Sequence, residues 1–376
     1  MNILIIGNGF DLAHGLKTSY KDFLEYQRKY VKPFLNSFGV PNHFEKEEVN
    51  VWLNYFLEKQ QELGDTWIDF ETEIYNVVTK IQNTVAFPQC SLLSAMHSDF
   101  LEAITDSHSS YLEKLQPIGS NNYKNYNHLE SITNYAEYQY YGNSTSYFFK
   151  SHKGLINFLY DQLRDFTEDF EKYLIENVNN LSPTSQYQLH SSKGRNGQQF
   201  KWDVISFNYT NTFIRLYQSV LNTSSIDATV YVHGKASANT QNCDLVLGTH
   251  SFDRKDENKN LPYDLNVFQK HNQRNKYGTI ETYQGILRRI KSHKNNVTIA
   301  VIGHSLDKTD HSVLKYIFTA NKNTQINIYY HNEEAHDKLI ENITKIIGED
   351  EVTAKVRFID QHDKNCGLLK LIRSNS

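Results

Sequence analysis

The chain has 376 residues, 39% of them hydrophobic, and 25 Tyr and 21 Phe supply much of its apolar area. A net charge of -4 provides no global field to recruit nucleic acid or an anionic membrane surface. The three cysteines, Cys90, Cys243 and Cys366, form no C-x-x-C pair, which excludes a four-cysteine zinc site and argues against a disulfide-rich secreted scaffold.

Residues 2–6 form a nearly continuous aliphatic run, the pattern of a strand buried on both faces in a parallel sheet. It breaks at Gly7-Asn8-Gly9, where two glycines permit positive φ and close approach of the backbone to a ligand. A helix follows, whose free N–H groups and dipole would favour a phosphate. Helical periodicity then dominates, with segments predicted from Ser19 to about Arg28 and over 48–63, 67–84, 92–116 and 153–178. The Asn-, Tyr- and Ser-rich stretch 120–146 reads as irregular. Short apolar runs at 203–207, 229–233, 243–247, 297–302, 325–330 and 355–359 read as strands, and the polar stretch 251–275 as a loop. Together these predict an α/β, Rossmann-like fold with a mostly parallel sheet and a large helical insertion after the first strand. The nucleotide-binding core would comprise 1–30 and 200–376, and the insertion 31–199.

Open α/β sheets bind ligands beyond the carboxyl ends of their strands, so the residues there are the candidates for chemistry. Gly7-Asn8-Gly9-Phe10-Asp11 lacks the third glycine of a dinucleotide fingerprint, because Leu12 stands there, and no strand-end acid follows about twenty residues later. An ordinary dehydrogenase is thus disfavoured, and without Gly-Lys-Ser/Thr the turn is no P-loop either. Asn208 follows the second strand, where its amide can hold a water or a sugar hydroxyl or can cap the next helix. His233, leaving a strand before Gly234, is suited to proton transfer near neutral pH. Gly303-His304-Ser305-Leu306-Asp307 offers close backbone approach and a hydroxyl, or is simple strand–turn–helix punctuation, with Asp307 or Thr309 as cap. It is no nucleophile elbow, since Asp307 occupies the second glycine position. Asp69 and Glu71, two residues apart, point to different faces of a helix and read as structural or regulatory.

The ordered set of residues 5–20, Trp67-Ile-Asp-Phe-Glu71, Phe207-Asn-Tyr-Thr-Asn-Thr212, Val232-His-Gly234 and Ile302-Gly-His-Ser-Leu-Asp307 resembles the bacteriophage abortive-infection AbiH family. That resemblance implies antiphage defence by shutting down or killing the infected cell. The same order also looks like the sirtuin-like NAD hydrolases of other defence systems. By position, that likeness implies that Gly7, Asn8 and Gly9, with Phe10 beside them, face the dinucleotide. Asn208 would orient water or ribose and His233 would act as base. Gly303, His304 and Ser305 would contact the adenosine side. Asp11 would stabilise positive charge or pair with His14, its other reading being a cap on the first helix. The acid that the sirtuin-like pattern carries two residues after the catalytic Asn is here Thr210. The missing cysteine tetrad excludes a zinc-dependent deacetylase.

The expected function is therefore antiphage abortive infection through cleavage of the nicotinamide–ribose bond of NAD, which is substrate and not resident cofactor; no metal or other cofactor is expected. The rivals are a sensor that binds nucleotide without turnover and a nuclease effector, for which no carboxylate cluster is evident. The expected partners are a small-molecule nucleotide, a phage-derived trigger and further copies in a homo-oligomer, with no nucleic acid indicated by charge. No apolar run approaches the roughly 18 residues of a membrane span, and the short apolar start lacks a basic leader, so a soluble, cytoplasmic protein is expected.

Overall fold

The computed structural model describes residues 1–29, 32–35, 41–45, 50–62, 69–85, 136–141, 144–149, 152–181, 187–191, 200–217, 229–238, 243–250, 263–362 and 369–373. They belong to two compact units, one of Met1–Ser19, Glu171–His250 and Lys270–Ser376, the other of Tyr20–Phe170 and Ser251–Gln269.

The first unit is built on six parallel strands: β1 (Asn2–Ile6), β2 (Asp203–Ser206), β3 (Thr229–Tyr231), β4 (Val297–Ile302), β5 (Thr324–Tyr330) and β6 (Val356–Asp360). Their order across the sheet is 6-5-4-1-2-3, that of a doubly wound α/β fold, with the strand order reversing between β1 and β4. Both faces are covered, which is why β1 is apolar from Ile3 to Ile6. Ile3 and Ile5 pack with Ile299, Val301, Ile326 and Ile328 against the helices Thr279–Ser292, His311–Thr319 and Glu333–Ile347. Leu4 and Ile6 pack with Val204, Ala300 and Ile302 against Phe10, Phe213 and Tyr217 on the other face. An antiparallel pair, Tyr187–Ser191 with Leu369–Arg373, completes the unit.

The register aligns the strand ends. Ile6 lies opposite both Ser206 and Ile302, and Ser206 opposite Tyr231. The ladder runs one residue further, with Gly7 N donating to Ile302 O, Phe207 N to Ile6 O and Val232 N to Ser206 O. Four chain segments therefore leave the sheet at one level, and the crossing between β1 and β4 is exceptionally tight. A Cβ on Gly303, at φ +65°, would stand 2.1 Å from Phe10 N, and one on Gly7 would stand 2.7 Å from Gly303 O.

The second unit contains the helices Tyr20–Arg28, Val51–Glu62, Phe70–Val85 and most of His152–Tyr173. The predicted helix 153–178 is this last one prolonged by five π-helical residues, Leu174–Val178. The core of the unit is aromatic: Phe70 stacks on Tyr20 and on Phe56, with centroids 4.1 and 4.2 Å apart, and Phe23, Phe166 and Phe170 meet edge to face. Asn50 Oδ1 accepts from Trp52 N and Leu53 N at the start of one helix, and Asp69 Oδ1 accepts from Glu71 N at the start of another. Asp69 is thus a helix cap.

Three sequence expectations are corrected. Residues 243–247 join no ladder: Leu245, Val246 and Leu247 are buried, but the segment is held by Val246 N donating to His233 O, so its apolar character reflects burial without strand pairing. The predicted loop 251–275 contains a 3₁₀ helix, Tyr263–Phe268, and the helix Lys270–Lys276. Within the stretch read as irregular, Ala136–Tyr141 pairs antiparallel with Ser144–Phe149, joining Tyr138 to Tyr147, as strand-favouring aromatics do. The predicted helix 92–116, Trp67, Cys90 and Cys366 lie outside the described residues. Among the described residues, no helix is long and apolar enough to cross a membrane.

The β1–β4 contact predicts a contrast between two positive-φ glycines. Gly278, at φ +72°, has nothing within 4 Å of the Cβ position, so Gly278→Ala is expected to cost only the conformational penalty of about 1–2 kcal/mol. Gly303→Ala adds a backbone clash and should lower stability far more. Denaturant unfolding of the two variants checks the ranking.

Candidate active site at the carboxyl edge of the sheet

Polar residues that the sequence scatters over three hundred positions are gathered beyond the ends of β1 to β4, all within the first unit. The first group centres on Asp11. It lies in the short helix Asn8–Ala13, is 1% exposed and follows Phe10, which packs in the apolar core. Thr210 Oγ1 donates to Asp11 Oδ2 at 2.5 Å. Thr212 Oγ1 lies 3.0 Å from Thr210 Oγ1, so the two hydroxyls stand side by side before the carboxylate. Burial raises the Asp11 pKa to about 6 against the opposing pull of Thr210, Thr212 and Asn208, in that order. The Tyr231 hydroxyl is buried without a hydrogen-bond partner, and desolvation, with the nearby Asp11 charge, pushes its pKa up.

Asn208 is 4% exposed, and neither atom of its amide makes a hydrogen bond of full geometry. The chain beside it bends through Asn208 N donating to Ser206 Oγ at 3.1 Å. The helix Thr212–Tyr217 begins four residues later, so Asn208 is not its cap. A buried amide left with open donors and acceptors is costly unless something binds it.

The second group centres on Asp310. His233 Nε2 lies 3.0 Å from its Oδ1, though off the hydrogen-bond axis, and Lys270 Nζ lies 3.3 Å from the same oxygen. Lys270 also donates to Thr309 Oγ1 at 3.2 Å. His304 Nε2 lies 3.7 Å from Asp310 Oδ2. Burial works to raise the Asp310 pKa, but Lys270 first, with the two imidazoles, draws it well below the usual carboxylate value. Desolvation lowers His233 and His304 to about 4, so both are neutral at pH 7. The ionised Asp310 assigns the His233 proton to Nε2, which leaves Nδ1 as a buried lone pair without a hydrogen-bond partner. His304 differs: its Nδ1 accepts from Leu306 N at 2.8 Å. Leu306 is held at φ +56°, a conformation that no other non-glycine among the described residues adopts. Phe207 and Tyr209, the chain neighbours of Asn208, both face the second group: the Phe207 ring meets His233 at 5.5 Å and His304 at 4.4 Å, and Tyr209 lies 6.2 Å from His233.

The glycine turn has a different character. Gly9 N donates to Gly303 O at 2.8 Å and so helps hold β1 to β4, while Phe10 N closes the turn on Gly7 O at 2.9 Å. Asn8 is exposed, and its Oδ1 accepts from Thr18 Oγ1 at 2.6 Å. Phe10 is packed in the core beside Phe213 and Tyr217. Ser305 is exposed, and its carbonyl accepts from Asn342 Nδ2. The expected Asp11–His14 pair does not form. The His14 ring is buried against Phe10 and Tyr217, with Nδ1 2.6 Å from Phe10 O and Nε2 2.6 Å from the Tyr217 hydroxyl, so both nitrogens are engaged there.

Sequence reasoning brought Asp11, Asn208, His233 and His304 to this edge but missed Thr210, Thr212, Lys270 and Asp310 as parts of it. The threonines and Asp310 stood inside quoted motifs, and only their contacts reveal them. Lys270 and Arg274 stood in a polar run with no sequence sign of burial. Among the described residues, no group of three or more His, Cys, Asp or Glu is arranged to hold a metal ion. The family model for bacteriophage abortive infection AbiH matches residues 3–331, a span that includes every residue of this edge. No curated protein matches the chain.

Two opposite pH dependences are expected. The Asp310 pKa lies below its unfolded value, so the stability it contributes is present above about pH 4 and lost on acidification. Asp310→Asn leaves Lys270 buried without its counter-charge and should cost about 3–5 kcal/mol at pH 7, part of which Lys270→Met in the same chain restores. The Asp11 pKa, at about 6, lies above 3.8, so its contribution is full below pH 3.8 and lost as pH rises through 6. Asp11→Asn should flatten the fall in stability across that window, as read by denaturant titration at several pH values.

Proposed function

The chain belongs to the bacteriophage abortive infection AbiH family, which gives it a role in antiphage defence, and from that premise we propose that it hydrolyses the nicotinamide–ribose bond of NAD at the carboxyl edge of its sheet. The observation that carries this reading is the His233–Asp310 pair beside Asn208. A neutral imidazole with one nitrogen facing a carboxylate and the other a bare lone pair is a general base oriented by its partner. The open Asn208 amide suits a ribose hydroxyl or the attacking water.

Cleavage of an N-glycosidic bond develops positive charge on the ribose, and a nearby carboxylate stabilises it. Asp11 is suited to that role. Thr210 stands where the sirtuin-like pattern has an acid, and its hydroxyl donates to Asp11, so Asp11 brings a carboxylate to the same neighbourhood. In this mechanism the nicotinamide leaves from the anomeric carbon, water adds there, and His233 Nδ1 takes the proton. Release of the activity by a phage-derived trigger, through homo-oligomer assembly in the cytoplasm, belongs to the same reading, because a constitutive NAD hydrolase would harm its host.

Purified protein is incubated with NAD, with and without extract of phage-infected cells, and nicotinamide release is followed. Wild type is expected to release nicotinamide in at least one condition, and Asn208→Ala and His233→Ala to lower kcat by about 10²-fold or more while still binding the nucleotide. The acid limb of the rate profile should lie near pH 6, rising as Asp11 ionises, and vanish in Asp11→Asn. Binding without release in every condition favours a sensor, and metal-dependent loss of RNA or DNA favours a nuclease.

A further inference from the structure

Gly7 N and Gly9 N are engaged by Ile302 O and Gly303 O and Phe10 N by Gly7 O, so these three amides of the turn do not meet a phosphate. The helix Lys270–Lys276 supplies two buried cations one turn apart. Lys270 and Arg274 are 2% and 1% exposed. Lys270 is committed to Thr309 and Asp310. At Arg274, by contrast, Nε and Nη1 are buried without a hydrogen-bond partner, and no carboxylate forms a salt bridge with it among the described residues. Its charge is felt at His233.

The charge count sharpens the point. Among the described residues, the second group holds one anion, Asp310, the cation paired with it, Lys270, and two neutral imidazoles, and the charge of Arg274 reaches His233 besides. Asp11 does not balance the excess, since only hydroxyl and amide groups act on its carboxylate. Burial of an unpaired guanidinium is strongly unfavourable, and its planar set of donors matches the geometry of phosphate oxygens.

We infer that Arg274 is the anion-binding residue of this edge and receives a phosphate group, the pyrophosphate of the dinucleotide, with Lys270 adding charge from behind Asp310. The inference rests on the nucleotide-site reading above, yet it concerns binding and is measured without turnover. Inorganic pyrophosphate is the probe, titrated calorimetrically into the full-length protein at fixed ionic strength. Wild type should bind it, and Arg274→Gln should weaken binding at least tenfold while leaving the ligand-free protein as stable as wild type or more so, because an unpaired buried charge has been removed. A merely structural arginine would show the reverse, a less stable protein.

Arg289→Gln is the control. Arg289 pairs with Asp203 at the amino end of β2, on the far edge of the sheet, and its loss should not change pyrophosphate affinity. Arg274→Lys keeps the charge without the planar fork and should bind several-fold more weakly than wild type, so the question stays open to test even if the glutamine variant fails to fold. The proposal is overturned if wild type does not bind pyrophosphate, or if the lysine and any folded glutamine variant bind it as wild type does. Absence of nicotinamide release leaves it standing, and absence of pyrophosphate binding does not bear on release.

Discussion

The contact between the end of β1 and the end of β4 governs the functional edge. Three glycines bring two backbones so close that no side chain fits between them, with Gly303 holding φ +65° and its carbonyl accepting from Gly9 N. In a doubly wound sheet this is the point where the strand order reverses and a crevice opens. Here the crevice is closed at its base by backbone packing. Asp11 is thereby held at the level of Asn208 and Thr210, and His304 at the level of Phe207.

Above that contact, one carboxylate organises most of the charge. Asp310 faces Lys270 and His233 through one oxygen and His304 through the other. Its ionisation depends on Lys270, and Lys270 tolerates burial because of Asp310. The two histidines have similarly depressed pKa values but different hydrogen bonding, for Leu306 N occupies Nδ1 of His304 while Nδ1 of His233 is open. Proton affinity alone does not distinguish them. The neighbouring backbone does.

Much of this architecture was legible in the chain. β1 and β4 announced themselves because helices cover both faces of the sheet, so that all but Asn2 in the one and Thr298 in the other are apolar. The strand ends at Gly7, Asn208, His233 and Gly303 were legible for the same reason, since each polar residue follows an abrupt end of an apolar run. Residues 243–247 misled because periodicity reports burial and not ladder pairing. Lys270 and Arg274 were illegible because a charged run ordinarily means a solvated face, and nothing local records that this helix is buried under an aspartate forty residues away. The Asp11–Thr210 bond spans 199 residues and leaves no local trace in the sequence.

The topology also sets the order in which the molecule is completed. β1 is made first, but its partners β2 and β4 begin at Asp203 and Val297, with the whole second unit synthesised in between or just after. At about 5–20 residues per second, the first strand waits on the order of 15–60 s for β4. Until then it is an apolar edge with unsatisfied backbone groups, a segment for chaperones to shield. Asp310 emerges later still, so His233 and Lys270 spend that interval without their carboxylate. The chemistry assigned to this edge cannot exist in a chain that has not been extended past three hundred residues.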